Sequence, residues 1–296
     1  MPALRAFASS VECVLVVTQP DRPSGRGHKL QPTPVKKAAL ELGIATWEPA
    51  SLRNAAQTLA PSGADILAVA SYGKILPQSL LDLPRLGALN VHPSLLPLYR
   101  GATPLFSQIR DGVSESGVTI IAMDAGMDTG DIVLQERARI GPSESHGVVL
   151  EWFAQIGAQL MARACTLALE DKLERRPQAG LASPEDIART TTRPLSKEDL
   201  IVDWSLPAER IVNHVRALSP KPGARARLEG EAQTAKLLEA RVASSPQPGE
   251  LTVPAGDGTY VAIERLVPAN RQLMTGRDYV VALRSAAASA AARAMR

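Results

Sequence analysis

Residues 87–123 read GALNVHPSLLPLYRGATPLFSQIRDGVSESGVTIIAM, and their pattern decides the fold. GALNVH (87–92) and GVTIIAM (117–123) are nearly unbroken apolar runs of strand length. Between them TPLFSQIRDG (103–112) carries apolar residues at helical spacing. The same alternation extends upstream. CVLVVT (13–18) and ADILAVAS (64–71) read as strands, and PVKKAALELG (34–43) and SLRNAAQTLA (51–60) as helices. Continuous apolar runs suit strands buried on both faces, so this alternation predicts a doubly wound, Rossmann-like α/β domain with a mostly parallel sheet. DIVLQERARI (131–140) alternates apolar and polar residues after a Gly-rich turn, which predicts an added antiparallel strand.

Downstream, residues 143–172 form one long amphipathic helical pattern. Residues 174–197 are polar, contain Pro177, Pro184 and Pro194, and read as a linker. A short helix is expected at about 207–218, followed by β-like pieces such as ELTVPA and TYVAIERLV. These imply a small C-terminal β-rich domain. The expected division is an α/β domain at 1–173, a linker at 174–197, a second domain at 198–284 and a low-complexity tail at 285–296.

The 296 residues are 45% apolar and 21% charged, with a net charge of +3, the balance of a globular protein. Cys13 and Cys165 are far apart and show no metal spacing, so neither a disulfide framework nor a zinc site is expected. With no membrane-length apolar run and no signal-like N-terminus, the chain reads as cytoplasmic.

Asn90 and His92 stand two apart at the C-terminal end of a predicted strand, so their side chains share one side. In open α/β sheets that end is where ligands bind. An imidazole there passes protons near neutral pH, and a nearby amide donates to a developing oxyanion. A second segment, MDAGMDTGDIV (123–133), sets Asp124, Asp128 and Asp131 among glycines. A carboxylate near His92 would orient the ring and favour its protonated form. Taken singly, the first motif also fits a satisfied strand-end histidine and the second a plain hairpin turn. Together, at the ends of two predicted neighbouring strands, they point to a site.

NVHPSLLP, a helix, and then GVTI-x-x-MD-x-G-x-DTGDI resemble the folate-dependent formyltransferase family. Within it the methionyl-tRNA branch is most similar, through TQPDRPSGRGHKLQPTPVK (18–36), ASYGKILP (70–77) and LSKEDLIVDWS (195–205). The resemblance implies that Asn90, His92 and Asp128 are the catalytic trio, with Asp124 and Asp131 structural. It implies that Ser94, Leu95, Leu96 and Pro97 form the tetrahydrofolate loop and that SYGKILP lies near the pterin pocket. The implied reaction moves a formyl group from 10-formyltetrahydrofolate to the α-amine of initiator methionyl-tRNA, with no metal and no covalent nucleophile. A monomer and no membrane partner are expected.

The resemblance also implies that the basic loop 19–37 contacts the tRNA acceptor end, with Arg22, Arg26 and Lys29 as candidate contacts. It implies an OB-like C-terminal barrel that grips tRNA. Residues 201–296 hold 13 Lys and Arg against 9 Asp and Glu, which agrees with a nucleic-acid partner. ARARLEG (224–230) departs from the aromatics usual after SPKPG. The family also opens with a strand and a Gly-Thr-Pro-type turn ahead of the segment that reads PALRAF here. The expectation is therefore a start assigned too far downstream and a sheet short of one interior strand. The alternatives are a formyltransferase acting on a nucleotide sugar or a glycinamide nucleotide, and an inactive tRNA-binding protein.

Overall fold

The apolar runs at 13–18, 64–71, 87–92 and 117–123 all become strands, and the amphipathic runs between them become helices. The structure is a computed structural model that describes residues 2–24, 29–228 and 233–294. In chain order the first elements are α1 (Pro2–Ser10), β1 (Val16–Val17), β2 (Arg22–Ser24), β3 (Lys29–Gln31), α2 (Pro34–Glu41) and β4 (Thr46–Trp47). There follow α3 (Ala55–Leu59), β5 (Leu67–Ala70), α4 (Gln78–Leu81), β6 (Ala88–His92), α5 (Pro104–Arg110), β7 (Glu115–Ala122) and β8 (Ile132–Arg139). Then come α6 (His146–Leu169), α7 (Pro184–Thr190), α8 (Ala208–Leu218), β9 (Ala224–Arg227) and β10 (Thr234–Ala243). The last are β11 (Leu251–Pro254), β12 (Tyr260–Val267), β13 (Met274–Thr275) and α9 (Gly276–Ala294).

Two units divide the chain. The first comprises Met1–Gly101, Glu115–Arg139 and Glu151–Thr191. Its main sheet has the order β5-β6-β7-β8, and a separate parallel pair joins β1 to β4. Among the described residues no strand links β1 to β5. Leu52, Ala55, Leu59 and Leu80 form a core on which Leu15, Val17, Trp47 and Leu67 also pack, so both sheets rest on one apolar cluster.

Strand direction is where the sequence reading needs correction. β5 and β6 are parallel, but β7 runs antiparallel to β6. Residues 116–122 are all buried, and burial on both faces produces the same unbroken apolar run whichever way a strand points. The antiparallel addition expected at 131–140 is present as β8. Local chemistry starts the helices where expected: Thr33 accepts the Lys36 N–H at 3.1 Å ahead of Pro34, opening α2.

Residues 174–197, read as a linker, are more than that. Arg176 forms an isolated antiparallel bridge to Ile132, and α7 is capped by Ser183, which accepts the Asp186 N–H at 3.0 Å. Prolines at 177 and 184 suggested irregular chain, yet a proline in the first turn of a helix costs nothing and here opens α7.

The second unit comprises Ala102–Ser114, Ile140–Leu150 and Thr192–Arg296. Its five-stranded antiparallel sheet has the order β11-β12-β10-β9, with β13 also on β12. A bulge at Leu237–Ala240 bends β10, and the curled antiparallel sheet forms a half-barrel among the described residues, in keeping with the expected OB-like domain. The α8 face carrying Ile211, Val215 and Leu218 is buried. Residues 285–294 of the tail read as low-complexity belong to α9, and the last two lie outside the described residues. No helix among the described residues is long and apolar enough to cross a membrane.

Candidate active site

Asn90 and His92 lie at the C-terminal end of β6, two residues apart and therefore on one side of the strand. Val91 points the other way, against α6, where a Cβ on Gly157 would come within 2.6 Å of its Cγ1. Only glycine allows that approach, so Gly157 fixes how closely α6 seats on the strand that carries the site. His92 is buried and opposite Thr119 of β7, which in turn faces Gln135 of β8.

That row of side chains holds the loop after β6. Thr119 Oγ1 donates to the Ser94 carbonyl at 2.6 Å and accepts the Leu96 N–H at 3.3 Å. Gln135 Nε2 donates to Thr119 Oγ1 at 2.9 Å and to the Leu96 carbonyl at 3.1 Å. Ser94 is wholly buried, and its hydroxyl donates to the Leu98 carbonyl at 2.7 Å. Leu96 packs with Ile121 and Ile132. The Ser94 and Leu96 side chains are thus occupied inside the protein; Pro97 is buried and Leu95 half-buried.

Beyond the loop, the chain returns over His92. Tyr99 sits at φ +58°, and its carbonyl accepts His92 Nε2–H at 2.9 Å. The other ring nitrogen, Nδ1, lies 3.5 Å from Asp128 Oδ2. Asp128 also has a left-handed backbone, φ +56°, and its Oδ2 accepts the Gly101 N–H at 2.9 Å. A neutral imidazole that donates from Nε2 presents a lone pair at Nδ1. A proton arriving there would sit beside a carboxylate. Burial nevertheless holds the His92 pKa below its ordinary value, opposed by the Asp128 charge and the Tyr99 carbonyl. The Asn90 side chain is half-buried and makes no hydrogen bond among the described residues.

The turn bearing Asp128 is shaped by its neighbours. Asp124 accepts the Gly126 N–H at 3.0 Å and the Thr129 hydroxyl at 2.8 Å, pinning its own loop. A Cβ on Gly130 would fall onto the Ala122 carbonyl oxygen, so the close approach there requires glycine. The structure therefore brings Asn90, His92 and Asp128 together. It also reveals partners that sequence reasoning missed: Tyr99 and Gly101 act through backbone atoms, which residue type does not report. Gln178 and Thr190 come from the segment read as a linker. Thr190 Oγ1 accepts the Tyr99 N–H at 3.2 Å.

Arg22 lines an open cleft with Gln19, Thr33, Tyr72, Gly73 and Lys74; the Tyr72 hydroxyl is buried and has no hydrogen-bond partner among the described residues. Lys29 is described as the first residue of β3, and Arg26 lies outside the described residues.

The family described as formyl transferase matches residues 1–165, and formyl transferase, C-terminal domain, matches residues 194–284. Methionyl-tRNA formyltransferase of Aromatoleum aromaticum is 42% identical over 263 residues, 88% of this chain and 81% of that protein. The enzyme of the same name from Listeria monocytogenes is 39% identical over 292 residues, 95% of this chain and 91% of its own. An N-formyltransferase from Helicobacter canadensis, solved with folinic acid and dTDP-3-aminofucose, shares the fold at a TM-score of 0.64. That likeness covers 88% of this chain and 93% of the other at 15% identity. On both domains and at this identity, the chain belongs to the formyltransferase family, among the methionyl-tRNA formyltransferases.

Proposed function

We propose that this chain transfers the formyl group of 10-formyltetrahydrofolate to the α-amine of initiator methionyl-tRNA, with Asn90, His92 and Asp128 as the catalytic groups. The observation that carries this reading is the buried His92 ring, set between the Tyr99 carbonyl and the Asp128 carboxylate, with an unengaged amide two residues away. The donor set fits the donor substrate: an amide N–H for a carbonyl oxygen and an acid–base pair for an amine. Bound 10-formyltetrahydrofolate would supply the electrophilic formyl carbon.

Asn90 donates to the formyl oxygen as it gains negative charge, a contribution typically worth about 10²–10³ in rate. The Asp128–His92 pair takes up the proton that the attacking amine loses as the new C–N bond forms. The imidazolium then gives a proton to the folate nitrogen as its bond to the formyl carbon breaks. Such proton transfer is typically worth about 10²–10⁴. In the loop after β6, Ser94 and Leu96 have their side chains committed internally. Folate recognition by Ser94, Leu95, Leu96 and Pro97 therefore works through backbone atoms and apolar surface.

For the acceptor, Arg22 and Lys29 on the β2–β3 hairpin, with Arg26 between them, make phosphate contacts, and the basic second domain adds affinity. The catalytic part is assigned to residues 1–173 and tRNA binding to 198–284, the chain working as a cytoplasmic monomer. The deciding test is formylation of charged initiator tRNA alongside a nucleotide amino-sugar and glycinamide ribonucleotide. Turnover is expected with the tRNA alone, and His92→Ala should cut it at least tenfold. Preference for either small amine, or full activity in His92→Ala, would overturn the proposal.

A further inference from the structure

Gln178 lies in the segment after α6, yet it is 4% exposed and its side-chain amide is fully engaged. Its Nε2 donates to the Asp128 carbonyl at 2.9 Å and to the Gly130 carbonyl at 2.7 Å. Its Oε1 accepts from Arg100 Nε at 3.1 Å and Nη2 at 2.7 Å. Both ends of this bridge matter to His92. Arg100 lies between Tyr99, whose carbonyl holds Nε2, and Gly101, whose N–H holds the Asp128 carboxylate. The other end grips the backbone of Asp128 itself.

Asp128 needs holding. Its left-handed backbone is unfavourable for a residue with a side chain and persists where neighbours over-determine it. The flanking Arg176 is itself anchored, exchanging N–H···O bonds of 2.8 and 2.9 Å with Ile132 of β8. Gln178 thus projects from a segment fixed to the sheet and spans two loops: the one returning over His92 and the one carrying Asp128. No other residue type supplies two N–H donors on one side and a two-fold acceptor for a guanidinium on the other at this length.

We infer that Gln178 is a positioning residue that sets the spacing between the His92 ring and the Asp128 carboxylate. This rests on the proposed catalytic role of that pair, but its main readout does not. The experiment compares the parent with Gln178→Met, which keeps the length and removes every hydrogen bond. Gln178→Glu, which keeps the acceptor for Arg100 and removes both donors, serves as the second variant. The His92 ring nitrogens are followed by NMR against pH, and kcat and KM are measured for both substrates.

In Gln178→Met the Asp128 loop loses its restraint, so the His92 titration should move to lower pH, and kcat should fall at least tenfold with both KM values within threefold. Gln178→Glu should lower kcat similarly with a modestly lower melting temperature, its carboxylate pairing with Arg100 while the two carbonyls lose their donor, and it carries the test if Gln178→Met does not fold. An unmoved His92 titration in Gln178→Met, or kcat within twofold of the parent in either folded variant, would overturn the inference. A His92 titration that moves in Gln178→Met while the parent transfers no formyl group would instead count against the proposed function alone.

Discussion

His92 is held by two opposing influences whose balance a single substitution can shift. Burial disfavours the imidazolium, while the Asp128 charge 3.5 Å from Nδ1 and the Tyr99 carbonyl favour it. Asp128→Asn retains an oxygen to accept the Gly101 N–H, so the loop should keep its course. The charge is lost, and burial is then less opposed. The expected outcome is a kcat reduced by about 10²-fold, in the range of lost acid–base assistance, with the His92 titration moved to lower pH. A pH–rate profile with parallel NMR titration checks it, and an unmoved limb would show that the carboxylate does not act on the ring. That Asn90 and His92 share one side was legible because spacing along a strand reports which side chains do. The acceptors that orient His92 were not, because a carbonyl belongs to every residue and only the left-handed turn at Tyr99 aims this one.

At the scale of elements, helices and strands could be read from periodicity, but their ties could not. Direction was lost for β7 because an all-apolar run reports burial alone. β9 and β10 went unassigned between turn residues. α7 was hidden by prolines. Arg216 on α8 is a similar case: a charged helix residue, a type mostly found at the surface, yet it is 7% exposed. Its guanidinium donates to Asn213 Oδ1 at 2.7 Å and to the Gly141 and Glu144 carbonyls at 3.1 Å each, joining α8 to the start of the 140–150 segment. Its pKa is lowered by burial. Arg216→Met keeps the aliphatic volume but leaves two carbonyls and an amide oxygen without their donor. A loss of about 2–5 kcal/mol is expected. Urea unfolding followed by circular dichroism measures it, and a change below about 0.5 kcal/mol would show that water replaces the guanidinium without cost.

Across the whole molecule, three of the four histidines share one property. His92, His146 and His214 all have pKa values lowered chiefly by burial. Each is therefore neutral in the folded protein at a pH where the unfolded chain would bind a proton. The stability that this gives is complete above the unfolded value of about 6.5 and is lost as pH falls through the lower folded values. The carboxylates with lowered pKa, such as Glu48 and Asp257, lose their contribution only at more acidic pH. Between pH 7.5 and 5.5 the histidines should dominate, and the melting temperature should fall by roughly 5 °C. Replacing His214, whose Nε2 is buried without a partner among the described residues, by Phe should reduce that slope; an unchanged slope would remove His214 from the account.

The segment after α6 has a practical bearing on how this enzyme can be taken apart. The formyl transferase match ends at residue 165, which invites excision of a minimal catalytic fragment near that point. Such a cut would discard Arg176, Gln178 and Thr190, and with them the grip on the Asp128 turn and on the Tyr99 N–H. The excised piece would carry Asn90, His92 and Asp128 and lack the strap that holds the Asp128 turn against the His92 loop. A cut after Thr191, where the last segment of the first unit ends, keeps that grip, and the fragment then also carries residues 102–114 and 140–150 of the second unit.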